Sequence, residues 1–284
     1  MLNFLLMAIF MVNALQANSN EKALYDTIGK TYDVARCADP EITDLLIKYL
    51  GVCENGKYLD VCCGSGNYTI AIHDQGVNVS GVDISEVMLE KAHRKNASIH
   101  WLQGDAHELP FEDNSFDGAL CISAIHHLGD LNSAFKEIFR ILKPGSKLVI
   151  FTSTKEQCEK SWLTHYFPFI WYGLGKDKLM DEPSLTQYLL DAGFNSVDIE
   201  KFFVTPETQD LYIYAGKYKP EIYLNDLVRE GMSPFKLGEF SKEIAKGLKK
   251  LKIDIQSGKV KKIVTKYEKN LGENVFVIAE KKNV

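Results

Sequence analysis

The fold of this 284-residue chain is decided by the stretch Tyr58-Leu59-Asp60-Val61-Cys62-Cys63-Gly64-Ser65-Gly66-Asn67. An apolar run that ends at a Gly-x-Gly turn predicts a buried strand, a tight turn and the start of a helix. The two glycines let the backbone approach a ligand closely. The stretch therefore predicts a strand of an α/β sheet with a binding site at its carboxyl end.

Acidic residues follow the next two apolar runs. Asp83 comes after the run 77–82, and Asp105 comes after the run 99–102. Because the carboxyl ends of the strands meet at one edge of such a sheet, we expect both acids beside Asp60 and the glycine turn. A carboxylate at the second strand end can bind both hydroxyls of a ribose. The set predicts a site for a nucleoside that carries an amino-acid tail.

Two alternatives, a dinucleotide site and a purely structural turn, fit the sequence less well than the nucleoside site. A dinucleotide site requires a third glycine or alanine three residues after the second glycine, and Thr69 stands there. A turn that serves only close packing leaves the three aligned acids unexplained. The nucleoside site is therefore the preferred interpretation.

Strands and helices alternate along the first half of the chain. Asp39-Pro40 begins a helix, because an acid can cap the first turn and proline fits its first position. Ser85 is expected to cap another helix, and Lys143-Pro144-Gly145 is expected to end a third. Later strands are expected at 116–122, 147–152, 197–203 and 275–280. This alternation predicts a doubly wound parallel sheet.

The composition is typical of a soluble globular protein, with 45% hydrophobic and 25% charged residues. The formal net charge of −5 gives no bulk attraction to nucleic acid, so DNA is not an expected partner. The six cysteines have no zinc-type spacing. We therefore expect buried free thiols and no metal site.

Residues 1–20 form an apolar N-terminal extension. The run from Met1 to Leu15 is shorter than a membrane-spanning helix requires. No Lys or Arg precedes Lys22, whereas a secretory signal begins with basic residues. We expect a cytoplasmic protein without stable membrane insertion. The alternative is a signal peptide or a membrane association through residues 1–17.

The composition changes after Thr152, where aromatic residues cluster around Pro168 and a long insertion follows. Extra sequence of this kind usually encloses a ligand or forms an interface. The expected units are the extension 1–20, a ligand-binding core at 21–154, a substrate cap with late core elements at 155–270, and a final strand with a tail at 271–284.

Several motifs resemble the UbiE-like (type 11) branch of the class I S-adenosylmethionine-dependent methyltransferases. These motifs are Leu109-Pro110-Phe111, Asn114-Ser115-Phe116-Asp117, Ile125-His126-His127-Leu128 and Arg140-Ile141-Leu142-Lys143-Pro144-Gly145. One position departs from the family, because Cys62 stands where glycine is usual. A positive φ at a cysteine would cost energy.

The resemblance implies a Rossmann-like, seven-stranded, mostly parallel α/β sheet with helices on both faces. A helical and aromatic C-terminal cap would precede the last strand, which would run antiparallel at the sheet edge. The implied cofactor is S-adenosyl-L-methionine, the product is S-adenosyl-L-homocysteine, and no metal takes part. The implied cofactor-binding residues are Asp60, Gly64, Ser65, Gly66, Asp83, Ile84, Asp105, Ala106, Cys121, Ser123, Tyr25, Tyr32 and Arg36.

His126 is the candidate catalytic residue, because it follows the fourth strand, where an acceptor would meet the methyl group. A neutral imidazole can take a proton from a hydroxyl or an amine. For His127 a loop role that orients backbone or cofactor is preferred. His165, Phe169 and Trp171 are expected to line the substrate site, with core packing as the alternative.

The expected function is methyl transfer to a small-molecule acceptor by in-line displacement. A tRNA methyltransferase of the wobble-uridine type is the second choice, because the Ile125-His126-His127 region is similar to those enzymes and the segment from Lys236 is rich in lysine. A noncatalytic S-adenosylmethionine-binding regulator is the third. The sequence leaves the acceptor, and the choice between monomer and homodimer, undecided.

Overall fold

The computed structural model of the protein describes residues 32–171, 179–236, 238–268 and 270–283. The predicted extension 1–20 and the predicted cofactor residue Tyr25 lie outside the described residues. Within the described part of the chain, none of the helices is long and apolar enough to cross a membrane.

The centre of the fold is a seven-stranded sheet with the order β3-β2-β1-β4-β5-β7-β6. Strands β1 to β5 run parallel to one another, and β7 runs antiparallel to both β5 and β6. This topology confirms the predicted Rossmann-like α/β fold. The strands are β1 (Tyr58–Val61), β2 (Val79–Asp83), β3 (Trp101–Gln103), β4 (Phe116–Ile122), β5 (Leu142–Thr152), β6 (Ser196–Phe202) and β7 (Asn274–Glu280).

The last strand does not lie at the edge of the sheet, so that prediction is wrong. Val277 of β7 pairs with Ile150 of β5 on one side and with Ile199 of β6 on the other. The physical reason is visible in the two sequences. Residues 274–279 of β7 are all buried, whereas β6 carries mostly exposed or half-buried residues, which is typical of an edge strand.

Strand β5 is longer than predicted. Helix formation ends at Ile141 as expected, but β5 begins at once at Leu142 and includes Pro144 and Gly145. The pairing with β4 shifts register between Phe116 and Gly118, and Gly145 has a φ of +82°. The irregular pairing and the glycine accommodate residues that the sequence pattern assigns to a turn.

Two of the predicted helix starts are confirmed by their caps. The Asp39 side chain accepts from the Ile42 N–H, and the Ser85 hydroxyl accepts from the Met88 N–H. The helices are α1 (Pro40–Leu50), α2 (Asn67–Asp74), α3 (Glu86–Lys95), α4 (Leu131–Ile141), α5 (Lys155–Glu159), α6 (Glu182–Ala192), α7 (Asp226–Glu230), α8 (Ser241–Gln256) and α9 (Lys259–Tyr267).

A separate hydrophobic cluster covers each face of the sheet. One cluster contains Phe135 of α4 and Leu189 of α6. The other contains Leu46 of α1 and Ile72 of α2, and it continues into the aromatic residues 162–171 and into Leu251 of α8. Because these later segments share a core with α1 and α2, they pack on the same face of the sheet as those two helices.

Candidate functional site

The glycine turn after β1 requires both of its glycines. Gly64 has a φ of +54° and Gly66 a φ of +75°, and Gly66 caps the start of α2. A Cβ at Gly66 would lie 2.5 Å from the Trp101 ring. The Gly64 N–H donates to Asp83 Oδ2 at 2.7 Å. The turn therefore joins the ends of β1 and β2 directly.

Two other strand-end residues adopt the left-handed conformation without being glycine. Cys62 has a φ of +61° and Ser123, just after β4, a φ of +54°. Non-glycine residues in this region cost about 1–2 kcal/mol and cluster at functional sites. Cys62 therefore stands in place of the usual glycine although its backbone conformation favours glycine.

Asp60 is buried near the end of β1. Its Oδ2 accepts from the Thr69 hydroxyl at 2.6 Å, and its Oδ1 has no hydrogen-bond partner among the described residues. Burial raises the pKa of Asp60 to about 7, and the nearby Asp83 carboxylate adds to the increase. A donor or a cation that reached Oδ1 would stabilise the ionised carboxylate.

The other two predicted acids are oriented by local contacts. Asp83 Oδ1 accepts from the Ser85 N–H at 2.9 Å, which adds to the bond from Gly64. Asp105 Oδ1 accepts from the His107 N–H at 2.9 Å and lies 2.5 Å from His107 Nδ1. The three acids therefore stand at one edge of the sheet, as predicted.

A polar cluster at the mouth of the turn was not predicted. The Ser65 hydroxyl donates to Asp33 Oδ1 at 2.6 Å. Lys95 Nζ donates to Asp33 Oδ1 at 3.0 Å and to Asn67 Oδ1 at 2.6 Å. These bonds attach the segment before α1 to the glycine turn.

These residues surround a cavity of roughly 1000 Å³ at the carboxyl ends of the strands, which we name the strand-end cavity. The predicted cofactor residues that line it are Tyr32, Arg36, Asp60, Gly64, Ser65, Asp83, Ile84, Asp105, Ala106 and Ser123. Two predicted residues lie behind its wall. Gly66 caps α2 and meets Trp101, and Cys121 is fully buried in β4.

A second cavity of roughly 770 Å³ adjoins the first, and we name it the cap cavity. The residues that line both cavities are Tyr32, Arg36, Ser123 and His127. The residues that line only the cap cavity are His126, Thr152, Ser153, Cys158, Trp171, Leu179, Tyr212, Ile213, Tyr214, Gly231, Met232, Ser233, Pro234 and Asn274. A ligand in one cavity would therefore meet a ligand in the other beside Ser123.

Of the predicted substrate residues, the structure places only Trp171 at a cavity. Phe169 stacks on Phe240 at 4.9 Å between ring centroids, and His165 packs against Tyr166 at 4.9 Å. Neither Phe169 nor His165 lines the strand-end cavity or the cap cavity. Their position agrees with core packing, the alternative that the sequence left open for them.

Arg36 is fixed between the two cavities by a residue that the sequence did not single out. Its Nε and Nη2 donate to the two carboxylate oxygens of Asp210 at 2.6 and 3.0 Å. The Tyr68 hydroxyl donates to the same carboxylate at 3.1 Å. Burial alone would lower the pKa of Arg36, but the Asp210 carboxylate raises it above the ordinary value.

The residues missed from the sequence come mostly from the segment between β6 and α7 and from the start of β7. Asp210, Tyr212, Tyr214 and Asn274 share no spacing with the strand-end motifs. Two further missed residues, Asp33 and Asn67, did have a local signal, because each is polar and lies beside a predicted element. Among the described residues, no group of three or more His, Cys, Asp or Glu side chains is arranged to hold a metal ion.

Known proteins match the part of the chain that builds the strand-end cavity. A family model described as "Methyltransferase domain" matches residues 59–150. A demethylmenaquinone methyltransferase from Staphylococcus epidermidis is 32% identical over 177 residues, which cover 54% of this chain and 73% of that protein. One from Staphylococcus aureus is 39% identical over 140 residues, which cover 46% of this chain and 58% of that protein.

Solved structures match over a longer part of the chain. A structure titled as a putative methyltransferase from an antibiotic biosynthesis pathway of Anabaena variabilis has a TM-score of 0.77 and 29% identity. The match covers 86% of this chain and 98% of that one. A phosphoethanolamine N-methyltransferase of Haemonchus contortus in complex with S-adenosylmethionine shares the fold, with a TM-score of 0.56 and 22% identity over 91% of this chain and 57% of that one.

Proposed function

This chain belongs to the class I S-adenosylmethionine-dependent methyltransferases, in their UbiE-like branch, and we propose that it methylates an uncharged small molecule held in the cap cavity. The strand-end cavity would hold S-adenosylmethionine. The single observation that carries the proposal is that two adjoining cavities share Ser123 and His127, so that a methyl donor and an acceptor can meet there.

The residues of the strand-end cavity fit the cofactor. Asp60 Oδ1 is buried without a partner in the described part of the chain, and the ammonium group of the methionine end is a donor of the kind this oxygen requires. The positive φ at Gly64 permits close backbone approach. Asp83, at the end of β2, would take the ribose hydroxyls, and Asp105 with Ala106 would contact the adenine.

When bound, S-adenosylmethionine supplies a methyl group that its sulfonium activates for in-line displacement. The chain contributes position and the exclusion of water, which together can lower a barrier by on the order of 7–11 kcal/mol. His126 lines the cap cavity, and we assign it the proton that the acceptor loses. His127 lines both cavities and would orient the two ligands.

The lining of the cap cavity favours an uncharged acceptor. Among the described residues that line it there is no Asp, Glu or Lys, and the charge of Arg36 is neutralised by Asp210. Trp171, Tyr212 and Tyr214 supply aromatic surface. The Staphylococcus relatives are named for demethylmenaquinone, but the matched family model ends at residue 150 and does not reach most of this lining.

The acceptor specificity would therefore come from residues 155–270, which form the cap in this proposal. Much of the cap-cavity lining lies between Cys158 and Pro234. The core from residue 21 to 154 would hold the cofactor, and the final strand would complete the sheet.

The proposal is tested by incubating the purified protein with methyl-labelled S-adenosylmethionine and size-fractionated extract of the source cells. We expect label in the organic-soluble small-molecule fraction, and its loss in the Asp83→Ala protein. Label found mainly in the RNA fraction would contradict the proposal. Cofactor binding without label in any fraction would instead identify a noncatalytic regulator.

A further inference from the structure

Buried polar atoms without a partner are concentrated at the two cavities. Five such side-chain atoms occur among the described residues. Asp60 Oδ1 belongs to a residue that lines the strand-end cavity, whereas Trp171 Nε1, Tyr212 Oη and Asn274 Oδ1 belong to residues that line the cap cavity. His165 Nε2 is the exception and lies away from both.

Three unpartnered atoms in one cavity require a physical cause. Buried polar groups in native proteins almost always have a hydrogen-bond partner, and the exceptions usually mark a functional site or bound water. Leaving a buried donor or acceptor unpaired destabilises the protein. These three groups come from distant parts of the chain, so no single local irregularity accounts for them.

The aromatic members of the set are held in fixed orientations. Trp171 stacks on Tyr214 at 5.7 Å between centroids with 23° between the planes, and the Tyr214 hydroxyl is paired with Cys158 Sγ at 2.9 Å. Tyr212 packs edge-on against Phe151 at 6.2 Å. Rings that are fixed before binding lose little entropy when a ligand arrives.

Asn274 is fixed at both its side chain and its backbone. Its Nδ2 donates to the Ser153 hydroxyl at 3.0 Å, whereas its carboxamide oxygen is buried without a partner among the described residues. Its backbone carbonyl accepts from Gln157 Nε2 at 2.9 Å. The capping glutamine of α5 therefore sets the position of this residue.

The chemistry of the three groups is complementary. An indole N–H can only donate, a carboxamide oxygen can only accept, and a phenol can do both. Burial beside Asp210 raises the pKa of Tyr212 well above the ordinary value, so its hydroxyl keeps its proton. A single ligand that satisfied all three groups would need a hydrogen-bond acceptor for Trp171 and a donor for Asn274.

We propose that Trp171, Tyr212 and Asn274 are the specificity-determining residues for the methyl acceptor, and that they select an uncharged molecule with both a carbonyl-type oxygen and a hydroxyl or amino group. This inference rests on the proposed function, because it assigns the cap cavity to the acceptor. All three residues lie outside residues 59–150, which the family model matches.

The test uses four aromatic probes of similar size and the full-length protein saturated with S-adenosylhomocysteine. Para-hydroxyacetophenone carries both a carbonyl and a hydroxyl group. Acetophenone carries only the carbonyl, para-ethylphenol carries only the hydroxyl, and ethylbenzene carries neither. Ligand-observed NMR titration gives their relative affinities. We expect para-hydroxyacetophenone to bind at least roughly tenfold more tightly than ethylbenzene, since each satisfied group contributes severalfold.

Two conservative variants keep an aromatic ring and remove one polar group each. Trp171→Phe and Tyr212→Phe should each reduce the advantage of para-hydroxyacetophenone about fivefold and leave ethylbenzene binding within twofold. Tyr212→Phe should also raise the melting temperature of the free protein by about 2 °C, because an unpaired buried hydroxyl is removed. Tyr188→Phe, on α6 and outside both cavities, is the matched control.

Either of two results would overturn the inference. One is equal binding of all four probes to the wild-type protein. The other is an unchanged preference in both variants together with a lower melting temperature for Tyr212→Phe, which would show that water satisfies these groups. Failure of the proposed function is distinct, because it would appear as absent S-adenosylhomocysteine binding in a parallel calorimetric titration.

Discussion

Arg36 and Asp210 are 174 positions apart in the chain, and their side chains form a bidentate ion pair at 2.6 and 3.0 Å that is almost completely buried. Arg36 precedes α1, whereas Asp210 lies in the segment between β6 and α7. The pair therefore ties the wall between the two cavities to both parts of the molecule.

Removing the Asp210 charge should destabilise the protein strongly. Asp210→Asn leaves the Arg36 guanidinium buried without its counter-charge, and broken buried pairs cost on the order of 3–5 kcal/mol. Urea unfolding measures the loss. Asp226→Asn is the control, because Asp226 is 85% exposed in its pair with Arg229 and should contribute less than about 1 kcal/mol. Equal losses in the two variants would show that the Arg36 pair has no special role.

The left-handed backbone at Cys62 should reverse the usual order of alanine and glycine. Cys62→Gly should be more stable than Cys62→Ala by about 0.5–1 kcal/mol, because glycine adopts a φ of +61° without a steric penalty. Neighbouring Cys63 has no positive φ, so Cys63→Ala should be more stable than Cys63→Gly. Denaturant unfolding of the four variants measures these differences in the free energy of unfolding. If alanine is the more stable at both positions, the backbone at Cys62 is not strained.

The ionisation of Asp60 should make cofactor affinity depend on pH. Burial raises its pKa to about 7, so its carboxyl is largely neutral at pH 6 and ionised at pH 8. The methionine ammonium favours the ionised form, and S-adenosylmethionine should therefore bind roughly tenfold more weakly at pH 6 than at pH 8. Calorimetric titration of Asp60→Asn at the same two pH values removes the contribution of the ligand's own titration. A pH response equal to wild type in that variant would argue against the role of Asp60.

The same carboxyl should affect stability with the opposite sign. Its pKa is raised in the folded protein, so its contribution to stability is present at low pH and is lost as the pH rises through about 7. Asp60→Asn cannot ionise, and its melting temperature should decline less than that of wild type between pH 5.5 and pH 8.5. Parallel decline of the two proteins would mean that Asp60 does not titrate in this range.

The catalytic assignment of His126 has a kinetic test. A general base contributes typically 10²–10⁴-fold, so His126→Asn should lower the methyl-transfer rate at saturating cofactor about 100-fold or more. His127→Asn is the comparison and should mainly change ligand affinity. Retention of the wild-type rate by His126→Asn would exclude the assignment.

Local sequence signals predicted the α/β fold and several of the residues that line the strand-end cavity. Asp60, the glycine turn and Asp83 were predictable because each follows an apolar run at the end of a strand, and the topology brings strand ends together. The prediction that β7 lies at the sheet edge was wrong. The apolar sequence of β7 indicates that the strand is buried, but it does not show that β6 pairs with its outer side.

The cap cavity could be predicted only in outline. Aromatic density after Thr152 indicated a cap, but spacing does not tell which ring faces a cavity: Trp171 lines it, while Phe169 stacks on Phe240. Asp210 and Asn274 reach the site from segments far apart in the chain. No local pattern marks residues that meet only through tertiary packing.

Calorimetric titration of the purified chain with S-adenosylmethionine and S-adenosylhomocysteine measures whether the strand-end cavity binds the cofactor. We expect saturable binding of one molecule of each. Asp83→Ala should weaken binding by roughly 100-fold relative to wild type, since it removes a charged acceptor for two ribose hydroxyls. Asp105→Ala should weaken binding less. No heat from a folded protein at high micromolar concentrations of either ligand would show that the cavity does not bind the cofactor.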